Sequence, residues 1–265
     1  CSGATTGIAL STTNGVAGAT YSWTRVDAGV SGVLVGTGTT IAETLTATGS
    51  VAGTATYTIT PSAGGCNGTP INVIVTVNPL PDVVAAPNAE TICSGTTSNI
   101  VLSTTNGVAG ATYSWTVVQS NVSGATAGFG ASINQTLAAT TSSAGTATYT
   151  ITPSAGGCTG TPIVVVVTVN PNPNVVALPA SQTICSGAVT NIGLSTTNGV
   201  GGVTYTWTRV DAGVSGVLIG TGTTIAETLT ATGSTPGTAT YTITPSAGGC
   251  NGTPINVIVT VNPLP

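Results

Sequence analysis

A period of 92 residues, kept without insertion or deletion, governs the whole chain. Cys1, Cys93 and Cys185 stand at that interval, and so do Cys66, Cys158 and Cys250. Trp23, Trp115 and Trp207 keep it, as do Tyr57, Tyr149 and Tyr241. Self-similarity at a fixed spacing makes the repeat, and not the chain, the unit that must bury a core. Residues 1–80 differ from residues 185–264 at nine positions, whereas 93–172 differs from the third copy at twenty-seven. The order is therefore A–B–A, which points to a longer array of alternating types. The units are expected at 1–78, at 79–170 with a leading linker and at 171–262 with another, and 263–265 would open the next linker. The segments before Cys93 and Cys185, PDVVAAPNAETI and PNVVALPASQTI, have no counterpart before Cys1. This suggests either a window from a longer polypeptide or units completed by a strand from a neighbour.

Within each unit the hydrophobic pattern has period two. In the third copy Val203, Tyr205 and Trp207 alternate with Thr204, Thr206 and Thr208. Ala239, Tyr241 and Ile243 alternate with Thr238, Thr240, Thr242 and Thr244, and Ile255, Val257, Val259 and Val261 share one side. Such alternation describes half-buried strands. Further strands are expected at Val175–Ile184, broken by Pro179 as suits an edge, at Asn191–Thr197, Val217–Ile219 and Thr224–Thr230. Asn198-Gly199 reads as a turn. Helical spacing is nowhere supported, and Thr and Val favour strands. About seven short strands in some ninety residues predict an all-β fold, an immunoglobulin-like sandwich in tandem.

Composition narrows the chemistry. The chain has two Arg, no Lys, no His and six Asp or Glu in 265 residues, 3% charged in all, against about 25% in an ordinary domain. Without His there is no Ser–His–Asp or Cys–His catalysis and no His-containing metal site. Without Lys there is no Schiff base, phosphate-loop lysine or Lys–Asn cross-link. Two cations give no nucleic-acid footprint, and the longest apolar run, Ile163 to Val167, is far too short to span a bilayer as a helix. No catalytic residue and no cofactor is expected, and the chain is not read as an enzyme.

Three strings carry a resemblance: Tyr-Thr-Trp-Thr in the third strand, Gly-Thr-Ala-Thr-Tyr-Thr-Ile-Thr in the sixth, and Val-Ile-Val-Thr-Val-Asn-Pro at the close. They resemble polycystic-kidney-disease-type (PKD-like) repeats. Ile-Cys-Ser-Gly at the start and Gly-Gly-Cys late in the unit are similar to the tandem version found in large secreted proteins of Bacteroidetes-type bacteria. The resemblance covers all three units. It implies an extracellular β-sandwich in a long surface or secreted protein, often an adhesin or filament. Standard PKD domains follow the Trp with an acidic, glycine-containing turn, whereas Thr208-Arg209-Val210-Asp211 stands here, so nothing attached to that turn is carried over.

The six cysteines allow several pairings, which sequence does not decide. Within-unit pairs Cys1–Cys66, Cys93–Cys158 and Cys185–Cys250 give every cysteine a partner, each worth roughly 4 kcal/mol in the chain-entropy model. The rival, Cys66–Cys93 with Cys158–Cys185, would staple adjacent units and leave Cys1 and Cys250 for neighbouring chains. Free buried thiols are the third possibility. Disulfides imply an oxidising, extracytoplasmic setting. Trp23, Trp115 and Trp207 are read as core tryptophans of the third strand, with a sugar platform as the competing use. Tyr57, Tyr149 and Tyr241 are read as core residues with a polar tip near the rim.

The ions vary together between copies. Arg25 and Glu43 in the first unit match Arg209 and Glu227 in the third, while the middle unit has Val117 and Gln135. Joint loss suggests Arg25–Glu43 and Arg209–Glu227 pairs at a sandwich rim, with Asp27 and Asp211 competing for the arginines. A calcium site between units is disfavoured, because Asp82 and Glu90 become Asn174 and Gln182 in the next linker. Linker stiffness is attributed instead to Pro79, Pro81, Pro87, Pro171, Pro173 and Pro179. Outward threonine rows such as Thr238–Thr244 offer a polar sheet surface, an ordered-water face, or sites for sugars or a neighbouring rod. Sequons stand at Asn67, Asn121, Asn134 and Asn251.

The expected role is structural: the stalk or backbone of an extracellular bacterial surface protein or filament, assembling by strand donation. Its partners would be other copies of the repeat or chain. The alternative is an adhesin binding glycans or another cell surface through loops at the sandwich ends.

Overall fold

The computed structural model describes residues 1–32, 35–216 and 219–265. Positions 217 and 218 of the expected Val217–Ile219 strand fall outside them; Ile219–Thr221 is a strand. All regular structure is β, in three successive two-layer sandwiches.

The third unit shows the plan. Its larger sheet runs, edge to edge, Ser181–Cys185, Ile255–Asn262, Gly237–Ala247, Thr204–Ala212 and Ile219–Thr221, with Cys250–Asn251 closing a hairpin on Gly237–Ala247. Val176–Leu178, Ile192–Ser195 and Thr224–Ile225 form the facing layer, flanked by the pair Val214–Ser215 and Thr230–Ala231. Alternation fixes which side chains meet between the layers. Tyr205, Trp207, Ala239, Tyr241, Ile243, Val257, Val259 and Val261 point inward from one sheet and Ile192, Leu194, Ile225 and Leu229 from the other. A one-residue slip in any strand would turn its apolar set to solvent, so this pattern pins the register. The second unit repeats the arrangement with Ile100, Leu102, Trp115, Tyr149 and Val165–Val169 in equivalent places.

The edge strand expected at Val175–Ile184 is present, and it and its counterpart one period earlier belong to the sandwiches more than to linkers. Val84–Ala86 pairs antiparallel with Ile100–Ser103, and Ala89–Cys93 pairs parallel with Ile163–Asn170. Val176–Leu178 and Ser181–Cys185 do the same one period later. The extended segment thus changes layers at Pro87 or Pro179, where a missing N–H costs no ladder bond. Strand donation between units is accordingly overturned for the second and third units, since each is completed by the residues directly before its own first cysteine. In the first unit Ile71–Val77 pairs with Gly53–Ala63 and has no parallel neighbour among the described residues. Val73 and Val75 are only half buried there, whereas their counterparts Val165, Val167, Val257 and Val259 are sealed.

Gly36, Gly128 and Gly220 mark a constraint that periodicity alone does not reveal. Gly36 and Gly128 face Trp23 and Trp115 across the sheet, and Gly220 faces Trp207. A Cβ at any of them would press into the indole ring. The core tryptophan fits because the opposite strand carries no side chain.

Candidate functional site

Two kinds of site emerge: a buried ionic cluster inside each A-type unit, and a covalent junction between neighbouring units.

The cluster grows from strand parity. Trp207, Arg209 and Asp211 lie on one face of Thr204–Ala212, so the guanidinium points into the sandwich. Arg209 Nη1 donates to Glu227 Oε2 at 2.6 Å, and Nε and Nη2 donate to the Asp211 oxygens at 2.7 and 3.0 Å. Glu227 also accepts from Trp207 Nε1 at 3.0 Å and from the Tyr241 hydroxyl at 2.8 Å. The first unit repeats this with Arg25, Asp27, Glu43, Trp23 and Tyr57. Asp27 and Asp211 are therefore not competitors; one arginine serves both carboxylates. The cluster is not at a rim either, because the arginine side chains are 0% exposed, and neither are the tyrosine tips, since Tyr57, Tyr149 and Tyr241 are fully buried. Burial opposes the guanidinium charge, yet Asp211 and the Tyr241 hydroxyl hold its pKa above the ordinary value.

The middle unit solves the same geometry without ions. Gln135 Oε1 accepts from Tyr149 at 2.8 Å and from the Thr126 amide at 3.0 Å, while Trp115 Nε1 donates to the Thr126 carbonyl at 3.1 Å. Gln119 accepts from the Ala125 amide at 3.0 Å. The loop backbone thus replaces the guanidinium. Among the described residues, no buried side-chain polar atom lacks a partner, as a cluster in low dielectric requires.

Burial pushes the hydroxyls of Tyr149 and Tyr241 up to about 12. The folded value lies above the ordinary phenol pKa of about 10. The linked stability is complete below that value and is lost as pH climbs through about 12. Alkaline titration followed by tyrosinate absorbance should show these buried tyrosines ionising late and together with unfolding. Ionisation of all six tyrosines near the ordinary value, with the fold intact, would contradict it.

The junction departs from every pairing expected from sequence. Cys1 bonds Cys158, and Cys93 bonds Cys250, each with a sequence separation of 157 and a Cα–Cα distance of 5.5 Å. Cys66 and Cys185 are free and exposed. The reason is positional. Cys93 lies beside Asn170 at one end of the eight-residue strand Ile163–Asn170, and Cys158 lies in the hairpin at the other end. Eight extended residues span about 25 Å, whereas a disulfide needs Cα atoms within about 7 Å. A within-unit bond is therefore out of reach. The first cysteine of a unit sits at its trailing pole and meets the second cysteine of the next unit at its leading pole.

Polar contacts at the same poles repeat with the staples. Asn78 Nδ2 donates to the Gly156 carbonyl at 2.7 Å, and Asn170 Nδ2 donates to the Gly248 carbonyl at 2.8 Å. Gly156 and Gly248 turn at φ +56° and +57°, and a Cβ there would meet the incoming Asn amide at 3.2 Å. Behind them, a Cβ on Gly160 or Gly252 would run into the carbonyl of Pro81 or Pro173. These small residues let the connecting chain lie flat on the next unit. The recurring Asn-Pro and Gly-Gly pairs were the available sequence signal.

Asp82 and Glu90 are used locally and do not converge. Asp82 accepts from the Thr104 and Thr105 hydroxyls and from the amides of Thr105 at 3.0 Å and Asn106 at 3.2 Å. Those bonds, the Thr104 hydroxyl first, hold its carboxyl well below the usual range. Asn174 caps Thr196–Asn198 in the same way. Glu90 accepts from the Asn99 amide and Gln182 from that of Asn191, both at 3.2 Å. Among the described residues no three His, Cys, Asp or Glu side chains cluster as a metal site would. No helix is long and apolar enough to cross a membrane.

Fold and junction together define a tandem β-sandwich array cross-linked from unit to unit. The model of the PKD-like domain matches residues 1–81, 90–173 and 182–265, and the chain belongs to that family. No curated protein matches it. Among solved structures it is similar to the chicken CNTN1 FN1–FN3 domains, at 9% identity and TM-score 0.34, covering 91% of this chain and 89% of that one. It is also similar to mouse cadherin-23 EC22–24, at 10% identity and TM-score 0.31, covering 92% and 86%. The protocadherin gamma B2 extracellular cadherin domains 3–6 match at 12% identity and TM-score 0.31, covering 92% and 67%. Likenesses this distant carry no functional argument.

Proposed function

We propose that the chain is a load-bearing segment of an extracellular structural array, a stalk or filament backbone, and not an enzyme. The carrying observation is the pair of staples Cys1–Cys158 and Cys93–Cys250. Each joins neighbours instead of stabilising one sandwich, and the two closed loops overlap between residues 93 and 158. A bond at this place restrains how one unit sits on the next, which a binding module does not need and a stiff connector does. Disulfides persist in oxidising compartments, which supports a site outside the cytoplasm. The 3% charge supports the same reading: junction contacts made by backbone, Asn, Gly and Cys change little with salt. Two arginines, both buried, leave trypsin-like proteases no exposed cleavage site.

Electron microscopy of single chains tests the proposal. Oxidised chains should show a narrow distribution of angles between successive units, and reduced chains a broad one. Identical distributions in both states would overturn it.

A further inference from the structure

Phe129 is the only phenylalanine of the chain. At 86% exposed it is also the most open large apolar side chain among the described residues. Its counterparts in the two A-type units are Thr37 and Thr221. The local structure holds the ring out. Gly128 lies against the Trp115 indole with no room for a Cβ, so the next residue of the strand Gly128–Phe129 leaves by the opposite, outer face. Phe129 stands directly opposite Ser114, and Ser114 opposite Thr152. Directly paired residues share a face. The result is an outward row of ring, hydroxyl and hydroxyl across three strands about 4.8 Å apart. Two residues along, Thr112 pairs with Ser154 and donates to its carbonyl at 3.1 Å. Ser114 is exposed and Thr152 and Ser154 are half-buried; their hydroxyls donate to no group among the described residues. Beside the ring opens a cavity of about 470 Å³, lined by Thr112, Ser114, Phe129, Gly130, Ala131 and Ser154 among others.

We propose that this face of the middle unit binds a neutral saccharide, a β-linked hexose whose ring stacks on Phe129 while its hydroxyls bond Ser114, Thr152 and Ser154. The lining selects that chemistry. The negative face of an aromatic ring attracts the C–H face of a sugar, where the axial hydrogens carry partial positive charge. Ser and Thr hydroxyls both donate and accept, as sugar hydroxyls do. A purely apolar ligand would cover those hydroxyls and leave them unpartnered, which is costly. No residue from Cys93 to Asn172 is charged, so a phosphate, sulfate or uronate finds no cation there to pair with. The cavity falls within the range of small-ligand sites, about 300–1,000 Å³.

The A-type units sharpen the assignment. They carry the same hydroxyl row, Thr60–Ser22 and Thr244–Thr206, but end it in Thr37 and Thr221. They offer hydrogen bonds without the aromatic platform, so the site belongs to the middle unit. It lies on the outer face of the larger sheet, and not in the loops at the sandwich ends. Binding there adds recognition to the structural role and does not depend on the staples.

Titration of the intact chain with cellohexaose and with laminarihexaose, followed by saturation-transfer NMR and calorimetry, tests the proposal. A hexasaccharide of galacturonic acid serves as the charged control. At least one neutral probe should bind at millimolar concentration with one site per chain, and the charged probe should not. Phe129→Thr restores the residue that the A-type units fold with at this place, and should weaken binding about tenfold or more. Thr221→Phe sets a ring opposite Thr206 in the third unit and should raise the stoichiometry from one site to two. Failure of both neutral probes to bind, equal binding of the charged probe, or affinity unchanged in Phe129→Thr would overturn the site. So would self-association of the chain that Phe129→Thr abolishes, since the ring would then serve a second copy.

Discussion

Replacing Arg209 with methionine is expected to destabilise the third unit by about 3–5 kcal/mol, the usual cost of leaving one member of a buried ion pair alone. Glu227 would keep its bonds from Trp207 and Tyr241, but no cation would balance it or Asp211. The size of the effect comes from the stranded carboxylates, so the cluster itself need not stabilise the fold by that amount. The middle unit makes the distinction testable, because it fills the same space with Val117, Gln119 and Gln135. A triple change, Arg209→Val with Asp211→Gln and Glu227→Gln, should recover most of the loss. Chemical denaturation monitored by the fluorescence of the three tryptophans separates the outcomes. A single variant as stable as the parent would show that the cluster is not isolated from solvent.

Opening one staple is the second large effect. Cys93→Ser with Cys250→Ser removes a closed loop of 157 residues, worth about 5 kcal/mol in the chain-entropy model. That figure applies to states in which both joined units are unfolded. The sandwiches themselves keep their cores, since none of the buried apolar residues of the third unit depends on the bond. Unfolding should therefore change from one coupled transition of the second and third units to two separable ones, seen in calorimetry. A single coupled transition in the double variant would mean that polar contacts such as Asn170 to Gly248 suffice to couple the units.

What the sequence revealed and what it hid divide along a physical line. Period-two alternation placed Trp207, Tyr241 and Val257–Val261 on the core side, because burial of one sheet face is written directly into the strand. The shared loss of Arg and Glu between copies pointed to a pair, because a buried charge without its partner is costly whichever is removed. The segment before the first cysteine was legible too: the edge strand expected at Val175–Ile184 forms as Val176–Leu178 and Ser181–Cys185 on either side of Pro179, although the same prolines also suggested a linker. Two features stayed hidden. Strand parity places Arg209 inward but says nothing of depth, and the cluster lies deeper than the rim. The cysteine partners were hidden because pairing depends on which pole each residue occupies. A tandem repeat offers every cysteine an equivalent partner one unit away.

The central claim, that covalent bonds run between units and carry load along the array, is tested most directly by stretching one chain from its ends. With Cys1 joined to Cys158 and Cys93 to Cys250, tension passes from Cys158 back to Cys93, crosses to Cys250 and leaves through the last residues. Of the three segments that join the two bonds, 93–158 is the shortest, so it and 250–265 set the limit, which at 3.3–3.6 Å per residue is roughly 30 nm. After reduction all 265 residues lie in the load path, and the limit rises to roughly 90 nm. A threefold gain in extension on adding reductant is the predicted result. An oxidised chain that already extends to the longer limit would contradict the account.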